Sequence, residues 1–282
     1  MAAPADLRPL SLGELLDRTF TLYREHFLLF AGIMAIPQVL LLAPMLLADA
    51  LTSALEMSPV LAGLSMVLVG LVVLLGTLVA YGLTQAATVF AVSEVYLGRS
   101  ITIRESYDRV WGDVGRVIFV QILVGVGFLV GLLLLIIPGI WFALRSAISI
   151  PPAVLEDKPA VEAIQRGMEL TKGNLGRVAL ILSLFLVITW VTAILLQAPF
   201  WIALAVVGIR QGGFPVWVTM LSRVGDALAK ILATPLVTIA LSLLYFDLRM
   251  RKEAFDLKLM MDQLGGSGEP GAASPRLGGL GS

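Results

Sequence analysis

Three times along the chain, a short stretch with apolar residues on one helical face and charges on the other runs straight into a long apolar segment. In the first, SLGELLDRTFTLYREHF at 11–27, Leu12, Leu15, Leu16, Thr19, Leu22 and Tyr23 keep the i, i+3, i+4, i+7 spacing of one helix face. Ser11 is placed to cap the first turn while Glu14 reaches back to the Ser11 amide, and Leu10 can staple against Leu15. Glu14 and Arg18 stand four apart in the order that favours pairing, worth roughly 0.2–0.5 kcal/mol on an exposed helix. The second copy repeats the box with Thr102 and Glu105 and the pair with Glu105 and Arg109; Ile103, Tyr107, Val110 and Val114 form its apolar face. The third starts near Pro159, a residue suited to a first helical turn. It pairs Glu162 with Arg166 and sets Val161, Ile164, Met168 and Thr171 on the apolar face. GDVGRV at 112–117 answers GNLGRV at 173–178, so we read the copies as an internal repeat, with boundaries near 10–97, 101–156 and 158–252.

The apolar segments between them predict six membrane-spanning helices. Span one covers 27–48, with a kink expected near Pro37. Span two covers 60–95, about 54 Å if helical throughout, longer than a hydrocarbon core of ~30 Å. Its second half, where Thr84, Gln85, Thr88, Ser93 and Glu94 gather, should therefore project beyond the membrane among the amphipathic helices. Span three covers 117–137 and carries Gly127 and Gly131 in GFLVG, read as a packing face. Pro138-Gly139 is expected to turn the chain into a short fourth span at 140–155. Span five covers 178–198, and 199–218, with Trp201, Phe214 and Trp217, reads as an outer segment with an interfacial aromatic belt. Span six covers 227–246, followed by a fourth amphipathic helix through Met250, Ala254, Leu257, Met261 and Leu264. The tail, 265–282, is Gly, Ser and Pro with almost no large apolar residues and is expected to be disordered, leaving 1–264 as one membrane domain.

Composition agrees with this pattern. The 282 residues are 58% hydrophobic and 14% charged, with a mean hydropathy of +0.93, outside the range of soluble domains. The expected fold class is thus an all-α integral membrane protein, six helices arranged as three parallel repeats of amphipathic interfacial helix plus membrane hairpin. Arg and Lys lie before span one, between spans two and three, between four and five, and after six, with only Arg210, Arg223 and Lys230 around the outer segment running against the pattern, which puts both termini in the cytoplasm and the chain in the cell (plasma or inner) membrane. Residues 1–26 lack an apolar signal region, so the first span is expected to act as the targeting signal. The net charge is zero, with no basic patch for nucleic acid.

Taken together, LSLGELLDRTFTLYREHF, IIPGIWFALRSAISIPPAVLED, EAIQRGMELTKGNLGRV and LLYFDLRMRKEAFDL resemble a broad group of bacterial membrane proteins related to the membrane domain of glycerophosphoryl diester phosphodiesterases. The resemblance spans about 8–262. It implies a membrane fold and no diesterase activity, because the soluble catalytic barrel of that family has no counterpart in this chain.

Candidate chemistry is sparse. With no Cys and one His, His26, thiolate, His-triad and His-zinc sites are excluded by count, and neither a phosphate loop nor a catalytic, metal or cofactor site is expected. Arg145 is the one base well inside a span, where an intramembrane charge is a functional candidate; it either snorkels to the interface or binds a lipid phosphate. Arg210 and Arg223 are further candidates for anionic lipid headgroups. Glu14, Arg18, Glu105, Arg109, Glu162 and Arg166 are candidates for a cytoplasmic contact surface. The leading expectation is a non-enzymatic membrane protein that organises or assists partners in the cell envelope, alone or as a homo-oligomer. The alternatives are a transporter or binder of lipids or small molecules, and then a membrane-embedded enzyme.

Overall fold

The computed structural model of the chain describes residues 10–54, 59–211 and 216–266. Among them there is no strand; ten α-helices follow one another as α1 (Leu12–Glu25), α2 (Phe27–Ala54), α3 (Pro59–Tyr96), α4 (Ile103–Val110), α5 (Val114–Leu134), α6 (Ile136–Ser146), α7 (Ile150–Leu155), α8 (Ala160–Thr171), α9 (Leu175–Gln211) and α10 (Val216–Gly266). Among the described residues, six stretches are long and apolar enough to cross a membrane: Phe27–Leu51, Gly63–Tyr96, Ile103–Leu134, Ile136–Leu155, Leu175–Val207 and Val216–Glu253.

Amphipathic helix meets apolar helix three times, each across a short break: His26 between α1 and α2, a single 3₁₀ turn at Trp111–Asp113 between α4 and α5, and Lys172 to Asn174 between α8 and α9. Both predicted capping boxes are formed. The Ser11 and Thr102 hydroxyls accept from the Glu14 and Glu105 amides, and each carboxylate accepts from its cap amide in return. Gly173, with φ of +87°, supplies the left-handed step that lets the chain leave α8 and re-enter helix.

The apolar faces are buried as spaced in α1, where Leu15, Thr19 and Leu22 point inward. In α8 the buried face is turned relative to expectation. It is made of Ala160, Ala163, Ile164, Gly167, Leu170 and Thr171, while Val161 is 54% exposed. Small residues let the helix sit close against its neighbours, and that contact, not side-chain bulk, sets its rotation.

The helices α1, α4, α7 and α8 collect at one end of the bundle, here called the polar end. α1 does not lie across that end; it runs antiparallel along α10. The Leu10 amide donates to Asp247 at one extremity, and the Tyr23 hydroxyl donates to the Leu232 carbonyl at the other. Burial pushes the Tyr23 hydroxyl up to about 12, so it stays a donor throughout the physiological range. The second half of α3 is packed as expected: Thr84, Gln85, Ala86, Ala87, Thr88, Val89, Ala91 and Val92 are all buried, whereas Val60, Val67 and Leu74 on its first half face outward.

Four expectations are corrected. The turn after span three falls at Leu135, whose φ and ψ of −166° and 147° make it one extended residue between α5 and α6. Pro138 sits in the first turn of α6, where its missing N–H costs no helical hydrogen bond. Gly139 packs backbone to backbone on Gly131, and Gly127 receives the ring of Phe142, so the GFLVG glycines close a hairpin within the chain. The fourth span is broken into α6 and α7 near Ala147–Ser149. Residues 199–211 form no separate outer segment but extend α9 through Pro199, and the amphipathic stretch after span six continues α10 without a break. Prolines are tolerated in such helices because neighbouring groups can serve the freed carbonyl. The expected disorder of the tail concerns residues that, from 267 on, lie outside those described.

Candidate functional site

Four helices each turn a stripe of side chains towards one cavity of about 460 Å³. α10 contributes Arg223, Asp226, Lys230 and Thr234, spaced three, four and four apart. α2 contributes Gln38, Leu42 and Met45; α3 contributes Val73, Thr77 and Tyr81; α9 contributes Gln197 and Trp201. Spacings of three and four keep each set on one helix face, so the cavity is a product of helical periodicity applied to polar residues.

Two ion pairs organise it. Arg223 grips Asp49 of α2 with both Nε and Nη2, the second at 3.0 Å from Oδ1; the side chains are 34% and 21% exposed. One turn further along α10, Lys230 Nζ stands 2.7 Å from Asp226, and both side chains are about half exposed. Lys230 lies 14 residues inside the helix start at Val216, about 21 Å of rise. That is deep in a segment apolar enough to cross a membrane. Asp226 and Lys230, with Gln197, Trp201 and Thr234, also line a second space of about 330 Å³ between α9 and α10, walled by Thr189, Trp190, Ala193, Ile194, Ala229 and Ala233. The Asp226–Lys230 pair therefore forms the border between a charged cavity inside the bundle and a mainly apolar groove beside it.

Asp49, Asp226 and Lys230 were missed as site residues. Asp49 reads as loop because span one looks complete by Ala48, and Lys230, though at the start of the span read at 227–246, reads with Arg210 and Arg223 as a base around the outer segment. The available signal was the three-and-four spacing of Arg223, Asp226, Lys230 and Thr234.

The residues singled out by sequence lie elsewhere, except Arg223. Arg145, in the last turn of α6, folds back over its own helix with its guanidinium carbon 5.0 Å from the centre of the Trp141 ring. Its Nε is buried without a hydrogen-bond partner. Arg210 lies on α9 with its side chain outside the described residues. Arg18 and Arg109 lie over the Tyr96 and Phe90 rings of α3, at 5.6 and 5.9 Å. The Glu14 and Glu105 carboxylates serve their own caps. Glu162 is exposed on α8, and Arg166 reaches Glu253 at 2.8 Å and Glu156 at 3.5 Å, tying α8 to α10. These charges hold the polar end together and do not converge on the cavity.

A second group at that end is organised by Asp247, fully buried, which accepts from the Leu10 amide and from Arg251 at 3.0 Å and pairs with Arg177 at 3.1 Å. Arg177 and Arg251 also donate to the Leu10 carbonyl. Glu156, nearby, accepts from the Tyr245 hydroxyl. Every charge here has a partner within the fold, so the group reads as a clasp. Among the described residues no three His, Asp or Glu groups converge as metal ligands would.

Comparison with protein-family models, with curated proteins and with solved structures finds no match to this chain, and its functional reading comes from the cavity itself.

Proposed function

We propose that this chain is a non-enzymatic multi-pass membrane protein that binds a phospholipid, seating a zwitterionic headgroup in the charged cavity and an acyl chain in the groove between α9 and α10. The observation that carries this reading is the Asp226–Lys230 pair, half exposed on the border between polar and apolar spaces. A charge at membrane depth costs on the order of 3 kcal/mol or more unless it is paired or hydrated. A half-exposed pair recovers little of that by itself. A headgroup phosphate beside Lys230 and an ammonium beside Asp226 would restore the missing interactions with charge-assisted hydrogen bonds. With Arg223 held by Asp49 outside the lining, the charges left to a headgroup are Lys230 and Asp226, one of each sign, which a zwitterion complements better than an anion does.

This choice takes up the lipid-binding alternative over the scaffold expected first, because the charges assigned to a cytoplasmic contact surface are largely engaged in caps, ring contacts and clasps. The wider frame is three quasi-equivalent units of amphipathic helix and hairpin, placed in the cell membrane with the polar end in the cytoplasm.

The test is lipid retention measured by native mass spectrometry after exchange into mixed micelles of phosphatidylethanolamine and phosphatidylglycerol. Wild type should retain the zwitterionic lipid preferentially, and Lys230→Ala and Asp226→Asn should each weaken that retention by about tenfold or more, the loss of one charge-assisted hydrogen bond. Equal retention by wild type and both variants would remove the headgroup reading. A preference for phosphatidylglycerol would overturn the choice of a zwitterion.

A further inference from the structure

A second cavity, of about 370 Å³, lies towards the polar end between α3, α5 and the broken α6–α7 segment. Its polar wall is made of Gln85, Gln121, Ser146 and Ser149, and none of its lining residues carries a charge. Two of these groups lack partners: both polar atoms of the Gln121 amide and the Ser149 hydroxyl are buried without a hydrogen bond, and Ser149 is only 1% exposed. Most of the wall is apolar, and these polar groups form one patch of it; buried amides and hydroxyls left unpaired are costly, and the space beside them is roomy enough for water to serve them.

The two cavities are joined by one stripe of α3. Val73 and Thr77 line the charged cavity, Gln85 lines the uncharged one, and Tyr81, between them at four-residue spacing, lines both. Tyr81 is 46% exposed, so its ring is not locked into a close-packed core, and its hydroxyl bonds to Gln85 one turn on, which holds the ring at the wall between the two spaces.

We infer that the two cavities are chambers of one hydrogen-bonding passage for small uncharged solutes, water first among them, and that the Tyr81 ring is the partition between them. The inner chamber sets the selectivity. An ion entering it would exchange hydration for amides and hydroxyls with no countercharge, whereas water or a small polyol would find donors and acceptors at Gln85, Gln121, Ser146 and Ser149. The passage goes beyond headgroup binding: it shares the charged cavity with that reading, but its inner chamber is lined by none of the ion-paired residues, so the variants tested below leave the ion pairs in place.

The measurement is osmotic water permeability of proteoliposomes by stopped-flow light scattering, with glycerol as a second probe. Replacing the partition, Tyr81→Ala, should raise water permeability severalfold over wild type. Tyr81→Phe, which keeps the ring, should not, and neither should Phe128→Ala, which enlarges the inner chamber away from the shared wall. An unchanged rate in a folded Tyr81→Ala variant overturns the partition, as does an equal rise in Phe128→Ala. Because the chain has no cysteine, Gln121→Cys gives an independent arm that leaves Tyr81 in place. Reaction of this thiol with a bulky maleimide should lower water permeability to that of protein-free vesicles. Permeability that stays above that baseline after complete reaction overturns the passage.

Discussion

At the scale of single residues, the strongest departure from expectation is where charge is kept. Arg145, alone inside a span by sequence, covers its exposure locally by lying on Trp141. Asp49 and Arg223 instead join two helices 174 positions apart through a bidentate contact. Removing one partner leaves the other charge in a partly desolvated site, a loss larger than the worth of the pair, whereas removing both leaves a polar gap without a stranded ion. Asp49→Ala should therefore lower the melting temperature in detergent more than Asp49→Ala with Arg223→Ala, with a coupling of about 1–2 kcal/mol across the double-mutant cycle. Strict additivity would mean that solvent already screens the pair. Sequence could not disclose this contact, because a carboxylate just past Ala48 and an arginine near a presumed outer flank look equally like interfacial anchors. Pairing over such a separation is a property of packing. The capping boxes, by contrast, involve residues three apart, and Ser11–Glu14 and Thr102–Glu105 were readable in full.

At the scale of elements, periodicity disclosed the helices and the buried face of α1 but not that of α8, where small residues set the contact, and punctuation was where it failed most. Pro138-Gly139 looks like a turn, yet in α6 the proline occupies a first turn that tolerates it and the glycine is consumed by contact with Gly131. A Cβ built on Gly131 would lie 2.7 Å from the Gly139 Cα, a backbone atom that cannot swing aside. Gly125, on the same helix, has nothing within 4 Å of its added Cβ. Thus Gly131→Ala should destabilise the protein by about 1–3 kcal/mol through overpacking, while Gly125→Ala should be neutral or stabilising by up to about 1 kcal/mol through helix propensity. Melting temperatures of the two variants decide it, and the reverse order would mean that the α5–α6 hairpin is not closed through its glycines. The long helices were cut short in the reading for the same reason. Pro199 and the charged run after Phe246 mark plausible ends, but packing of α9 on α10 and of α10 on α1 and α8 carries the helices through them.

At the scale of the whole molecule, the helices outrun the bilayer. α3, α9 and α10 hold 38, 37 and 51 residues, about 57, 55 and 77 Å, against a hydrocarbon core of ~30 Å. The excess is not spread evenly. Outward-facing apolar side chains dominate the first half of α3 and the α5–α6 tip, where Leu133 is 86% exposed, while the buried second half of α3 and the Asp247 clasp lie where α1, α4, α7 and α8 gather. Basic residues follow the same division: Arg99, Arg104, Arg109, Arg116, Lys158, Arg166, Arg177 and Arg249 stand at the polar end. Away from that end, Arg223 and Lys230 each face a carboxylate. Positive charge in short loops is retained on the cytoplasmic side, so the polar end should face the cytoplasm. Single cysteines introduced into this cysteine-free chain report that directly. Ser100→Cys lies in the exposed link between α3 and α4 at the polar end, and Ser58→Cys falls in sequence between α2 and α3, outside the described residues. A membrane-impermeant maleimide added to intact cells should label Ser58→Cys at once and Ser100→Cys only after permeabilisation. The opposite pattern would invert the molecule and move the charged cavity's lipid source to the other leaflet; labelling of both positions in intact cells would mean that α3 does not cross the membrane.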